Sequence, residues 1–188
     1  MVALSSLWLP ILLSAVLVFV ASSVIHMVLG YHNADYAKLP REDDIIAALK
    51  PIGIPPGDYF LPWAGGPEGM KDPAFQEKWK NGPVASLTVL PVGANFMGAQ
   101  LAQWFLYAAV VAFFAGYVAT RTIAPGADYL MVFRVVGTTT FMGYALGLWQ
   151  MTIWYKRSVT TTLKSTFDAL LYASLTGGAF GWLWPAQM

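Results

Sequence analysis

His26 and Asp168 are the two side chains in this sequence best suited to act together on a proton or a bound ion. An imidazole beside a carboxylate exchanges protons near neutral pH, or serves as a ligand while the carboxylate orients it. Ser22 lies one turn before His26, and four amides, Asn95, Gln100, Gln103 and Gln150, flank the pair in sequence. All of them fall within two turns of the same end of the apolar segments described below. They are expected to converge, with His26 and Asp168 as the central pair. The plainer expectation is an interhelical hydrogen-bond network, because buried polar groups need partners whether or not they do chemistry.

His32 follows His26 by six residues. On a continuous helix that is about 120° from a shared face and about 9 Å of rise, so the two cannot bind one haem axially. Either suits the role of a single ligand to a haem or chlorophyll. His32, Asp35, Asp43 and Asp44 read as a solvated charged turn more readily than as a metal site, since a zinc or copper site ordinarily recruits more His or Cys. Arg134, the other charge inside an apolar run, is expected to snorkel to the nearer surface or to bind a lipid phosphate there.

Several chemistries are excluded outright. The chain has no cysteine, which removes disulfides, thiolate zinc sites, iron–sulfur clusters and thiol catalysis. It has no G-x-x-x-x-G-K-[ST], G-x-S-x-G or H-E-x-x-H, so phosphate-loop, α/β-hydrolase and zinc-protease readings lack their residues. A net charge of +1 without a basic run gives no reason to expect nucleic acid. No inverted repeat supports a secondary transporter, and no helix carries a polar stripe suited to a pore. An enzyme is therefore not the favoured reading.

The elements that must position these residues are long apolar runs. The chain is 57% hydrophobic and 11% charged, with a mean hydropathy of +0.55. Four runs reach about the 20 residues that cross a hydrocarbon core: Leu7 to Gly30, Phe96 to Thr120, Tyr129 to Trp154 and Leu163 to Leu183. Trp8, Trp104, Trp149, Trp154, Trp182 and Trp184 lie near their ends, as interfacial belts require. The expected fold is an all-α integral membrane protein with four transmembrane helices and a long, mostly irregular extramembrane loop between the first two. Residues 1–30 are the first span, 31–94 the loop, and 95–188 the remaining three spans. The first run continues past Ser23 and lacks a basic leader, so it reads as a retained anchor rather than a signal peptide.

Six of the eleven basic and eight of the ten acidic residues lie between Tyr31 and Ala94, which marks this stretch as extramembrane. Short helices are expected at Leu39–Lys50 and Asp72–Lys80, where proline opens a run that acids or lysines flank. Pro51–Pro67 reads as irregular chain pinned by Tyr59, Phe60 and Trp63, and Ser86–Leu90 as a short extended run.

Both termini fall on one side and the loop on the other. The bases near the loop side, Lys38, Arg41, Lys156, Arg157 and Lys164, place that side in the cytoplasm. A bacterial inner membrane is the expected location. Small residues at four-residue spacing give each helix a smooth face: Ala108, Ala112 and Gly116; Gly143 and Gly147; Ala169, Ala173, Gly177 and Gly181. These faces are expected to pack within the bundle, or to dock other membrane subunits. Two functions follow. The favoured one is an accessory subunit of a larger membrane complex, with lipids and other subunits as partners. The alternative is a small-molecule or lipid-binding membrane protein, an enzyme or cofactor carrier included, that uses the cluster around His26 and Asp168.

Overall fold

In the computed structural model, residues 2–93 and 97–186 are described. The chain forms two compact units, Met1–Ala37 with Phe96–Met188, and Lys38–Asn95.

The first unit is helical. Helix α1 (Trp8–Ser23) is entered by a 3₁₀ turn at Leu4–Leu7 and leaves through a π-helical turn at Val24–Leu29. It is followed by a 3₁₀ turn at Tyr31–Asp35, which packs with the helices and not with the charged stretch assigned to it from sequence. Helix α4 (Met97–Thr122) comes next, then α5 (Tyr129–Ala145), α6 (Trp149–Tyr155) and α7 (Val159–Trp182). Three continuous helical stretches, Leu4–Leu29, Met97–Thr122 and Tyr129–Tyr155, are long and apolar enough to cross a membrane. Many of their uncovered residues, such as Leu12, Val16, Val20, Phe113 and Phe114, are apolar, as suits an integral membrane protein.

Neighbours run antiparallel, as the contacting pairs show. Leu7 lies under Gly116 and Trp104 reaches Ser22 between α1 and α4. Tyr129 meets Gly181 and Phe133 meets Gly177 between α5 and α7. The four helices therefore close a ring, α1–α4–α5–α7. Its core has two parts. Leu7, Ala112, Ala115, Val132, Val136 and Phe180 fill one end. Ala15, Val18, Ala108, Tyr144, Ala169 and Tyr172 fill the other.

The small-residue faces meet inside this ring. Ala112, Gly116, Ala169, Ala173 and Gly177 are buried. A Cβ at Gly177 would stand 3.0 Å from the Phe133 carbonyl and 3.3 Å from the Cα of Gly137, a glycine the four-residue ladders miss. At Gly181 it would strike the Tyr129 ring at 2.7 Å, and at Gly116 the Phe180 ring at 3.0 Å. Gly143 faces Val111, whereas Gly147 has open space around it.

The third run is not one uniform helix. The Tyr107 hydroxyl donates to the Gly143 carbonyl at 3.0 Å, the acceptor that the Gly147 N–H would use in an α-helix. The ladder gives way there to a 3₁₀ turn at Leu146–Leu148 before α6 resumes, the known effect of a side chain inserted into a helical ladder.

The second unit holds α2 (Glu42–Leu49), β1 (Gly57–Leu61), α3 (Pro73–Asn81) and β2 (Ala85–Val89). The strands pair antiparallel, Gly57 with Val89 through Leu61 with Ala85. The stretch read as irregular thus contains one edge of a two-stranded sheet, and the chain is not strictly all-α. Asp72 caps α3 by accepting from the Ala74 N–H, with Pro73 in the first turn. Among the described residues of this unit only Pro62 is buried.

Candidate functional site

The polar residues gather where α1 ends. The π-helical turn carries His26, and π turns recur at functional sites because they re-aim side chains. Gly30 then takes a left-handed conformation, φ +63°, which stops the helix as glycine commonly does. The chain turns back on itself through Tyr31–Asp35. As a result His32 does not continue along the helix away from His26. Its ring stacks on that of His26, 4.5 Å between centroids and 5° between planes.

Asp168 of α7 anchors the cluster. It is 3% exposed, and a buried carboxylate is costly unless several donors reach it. Tyr31 donates its hydroxyl to Oδ1, and His32 Nε2 lies 2.8 Å from Oδ2. His32 Nδ1 lies 2.6 Å from Oδ2 of Asp35. One turn before Asp168, Lys164 donates to the other oxygen of Asp35 at 2.8 Å and to the Tyr31 carbonyl at 2.7 Å. Two carboxylates thus face one ammonium and an imidazole with a carboxylate at each nitrogen, and hydrogen-bonded pairs of this kind are what permit charge to be buried.

The electrostatics follow the contacts. Burial pushes the Asp35 carboxyl up, but hydrogen bonds from Lys164 and His32 outweigh it and hold the group below the usual carboxylate range. Burial raises the Tyr31 phenol above its ordinary value, and the Asp168 carboxylate it donates to raises it further.

The expected direct pair of His26 and Asp168 is not formed. His32 stands in that place, because the turn at Gly30 brings it back beneath His26. His26 instead donates from Nδ1 to the Ser22 carbonyl at 2.9 Å, since a carbonyl can only accept. Its Nε2 has no hydrogen-bond partner among the described residues. Ser22 is held in turn by Trp104, whose Nε1 donates to Oγ at 2.8 Å. One ligand atom each from His26, His32 and Asp168 lies within 4.8 Å of the other two. The parallel stacking of the two rings leaves no room for a macrocycle between them.

Beside the cluster lies a cavity of about 200 Å³, lined by His26 and Asp168 on one side and by Trp104, Tyr107, Tyr144 and Tyr172 on the other. The aromatic rings contact one another at centroid distances of 5.4–6.0 Å. The Tyr144 hydroxyl is buried and has no hydrogen-bond partner among the described residues.

The other residues singled out from sequence lie elsewhere. Gln100, Gln103 and Gln150 are exposed and outside the cluster. Arg134 is exposed on α5, near the opposite end of the bundle. Asn95 lies outside the described residues, as does Phe96, the expected start of the second span. Asp43 and Asp44 belong to the other unit, where Asp44 accepts from Arg41 at 2.5 Å. Tyr31, His32, Asp35 and Lys164 are the members that sequence reasoning did not bring to His26. The one available signal was Gly30, a helix stop directly between the two histidines.

The chain matches no protein-family model, no curated protein and no solved structure.

Proposed function

We propose that this chain is a four-span integral membrane protein that holds a first-row transition-metal ion at one end of its bundle through His26, His32 and Asp168. The observation that carries the reading is that both histidines have Nδ1 occupied, by the Ser22 carbonyl and by Asp35, while the three side chains offer ligand atoms within 4.8 Å. Ligating histidines characteristically give their other nitrogen to a carbonyl or a carboxylate, which fixes tautomer and ring orientation. His32 Nε2 and Asp168 Oδ2 lie 2.8 Å apart at this place, and a cation entering there takes the place of that hydrogen bond, with one imidazole turned out of the stack so that both in-plane lone pairs reach it. Two imidazoles and a carboxylate, with the Tyr31 phenol against that carboxylate, form a donor set that suits iron, zinc, copper or nickel rather than calcium or magnesium. The adjoining cavity gives the ion a neighbour on which to act.

Helix α7 is the fourth span. Its 24 residues rise about 36 Å against a core of about 30 Å. Its hydropathy is lowered by hydroxyls that the helix itself satisfies: Ser165, Thr166 and Ser174 donate to carbonyls one turn back. Asp168 is turned into the bundle.

Elemental analysis of tag-free protein, purified in detergent without chelators, tests the metal reading. Wild type should carry about one equivalent of a transition metal, as a single three-ligand site with an open position implies. His26→Ala, His32→Ala and Asp168→Asn should each lose most of it. Metal content unchanged in all three variants would remove the reading.

One observation favours a second reading, an accessory subunit. The unit Lys38–Asn95 buries only Pro62 among its described residues and leaves Ile46, Leu49, Phe60, Trp63 and Trp79 exposed. Another subunit would cover such a surface. Copurification of a second polypeptide at a fixed ratio from the native membrane would support this reading, and its absence would count against it.

A further inference from the structure

We propose that Arg134 is the anchor of a binding site for an anionic membrane lipid, at the end of the bundle opposite the histidines. Arg134 lies five residues into α5, about 8 Å from the Tyr129 end of the helix. Tyr129 and Trp182, both exposed, mark that end as a headgroup-level aromatic belt. The guanidinium therefore sits beneath the belt, where an unpaired charge is costly.

Nothing among the described residues offsets that cost. Among the described residues Arg134 has neither a hydrogen-bond partner nor a carboxylate within ion-pair distance. Asp128, the acid nearest in sequence, is occupied as the cap of α5, accepting from the Met131 N–H at 3.0 Å. Arg134 opens instead onto an outward-facing groove of about 290 Å³ between α5 and α7. Gly137 and Ala173 line the groove where α5 and α7 touch, a Cβ at Gly137 standing 3.5 Å from the Ala173 carbonyl. Thr138, one turn from Arg134 on the same face, lines it with a hydroxyl that has no partner among the described residues.

A guanidinium fork and a hydroxyl one turn apart make a donor set for a phosphate, and the groove continues into apolar wall suited to an acyl chain. A phospholipid with net negative charge fits both parts. Simple snorkelling of Arg134 would need neither the groove nor Thr138.

Native mass spectrometry of the protein released from nanodiscs of mixed phosphatidylglycerol and phosphatidylcholine tests this. Wild type should retain phosphatidylglycerol over phosphatidylcholine by about fivefold, the scale of one cation at an anionic surface. Arg134→Gln should abolish the preference. Arg134→Lys and Thr138→Val should reduce it, because the charge or the fork alone is then kept. Added inorganic phosphate should not displace the lipid. Thermal unfolding checks that each variant is folded; if Arg134→Gln does not fold, the Arg134→Lys and Thr138→Val results decide. No headgroup preference in wild type, or one unchanged in the folded variants, overturns the proposal, as does displacement by free phosphate.

Discussion

His26 and His32 lie ring on ring, 4.5 Å apart and 5° from parallel, although only six residues separate them. A straight helix cannot produce this relationship. It follows from two local departures, the π-helical turn at Val24–Leu29 and the left-handed Gly30. The cluster is therefore set by backbone geometry as much as by its side chains.

Gly30 should show this directly. Its φ of +63° disfavours a β-branched residue by about 1–2 kcal/mol, whereas asparagine visits the left-handed region readily. Gly30→Val is expected to lower the melting temperature in detergent and to release the metal proposed for the His26–His32–Asp168 cluster. Gly30→Asn should retain most of both. Equal loss in the two variants would mean that bulk, through the nearby Asn33 side chain, and not backbone conformation, is what matters there.

Much of this architecture was legible beforehand. Runs of apolar residues announce helices long enough to cross a membrane, and small residues every fourth position announce where α7 meets α5. What could not be read was rotation and reversal. Gln100, Gln103 and Gln150 have the right depth and the wrong face, and depth alone is what spacing reports. His32 and Asp35 looked like a solvated turn because their partners, Asp168 and Lys164, are more than 120 residues away in sequence. The strand Gly57–Leu61 was hidden by the prolines and glycines around it, since its pairing with Ala85–Val89 supplies what its own sequence lacks.

Acid should weaken the folded state through Asp35. Its carboxyl is held below the ordinary value, so its stabilising effect is complete above the unfolded value of about 3.9 and is lost as pH falls through the folded one. Tyr31 acts at the other extreme. Its phenol is raised, so its effect is present below about pH 10 and is lost as pH climbs beyond. Asp35→Asn should flatten the acid limb of a melting-temperature profile and Tyr31→Phe the alkaline limb. A profile unaltered by either substitution would refute the assignment.

Ser22 separates orientation by the backbone from orientation by the side chain. His26 is held by the Ser22 carbonyl, while the Ser22 hydroxyl serves Trp104. Ser22→Ala should cost about 1 kcal/mol, the worth of one hydrogen bond, and leave metal content near the wild-type level. Loss of the metal in this variant would show that the hydroxyl network, not the carbonyl, sets the ring.

Gly177 and Gly147 make a matched pair for packing. A side chain at Gly177 meets the Phe133 backbone and Gly137, and one at Gly147 meets nothing within 4 Å. Gly177→Leu is expected to destabilise by about 3 kcal/mol or more through overpacking. Gly147→Ala should be neutral or slightly stabilising, as the helix propensity of alanine suggests. Melting temperatures of the two variants in one detergent give the comparison.

The second unit should fail to stand alone. With one buried residue among those described, it lacks the burial that offsets chain entropy in a small domain. A peptide spanning residues 38–95 is expected to show little cooperative unfolding by circular dichroism. A sharp transition would mean that the hairpin and its two helices are self-sufficient.

The break at Leu146–Leu148 gives the bundle a mechanical asymmetry. Where α5 crosses α7 at Gly137 and Gly177, backbone rests on backbone and nothing can slide. Beyond Ala145 the helix has surrendered a rung of its ladder to a tyrosine, and α6 hangs from that joint. The two ends of the bundle are thus held by different means: glycine against backbone at one, and side-chain hydroxyls at the other, where Tyr107 takes the Gly143 carbonyl and Thr152 of α6 bonds Thr162 of α7.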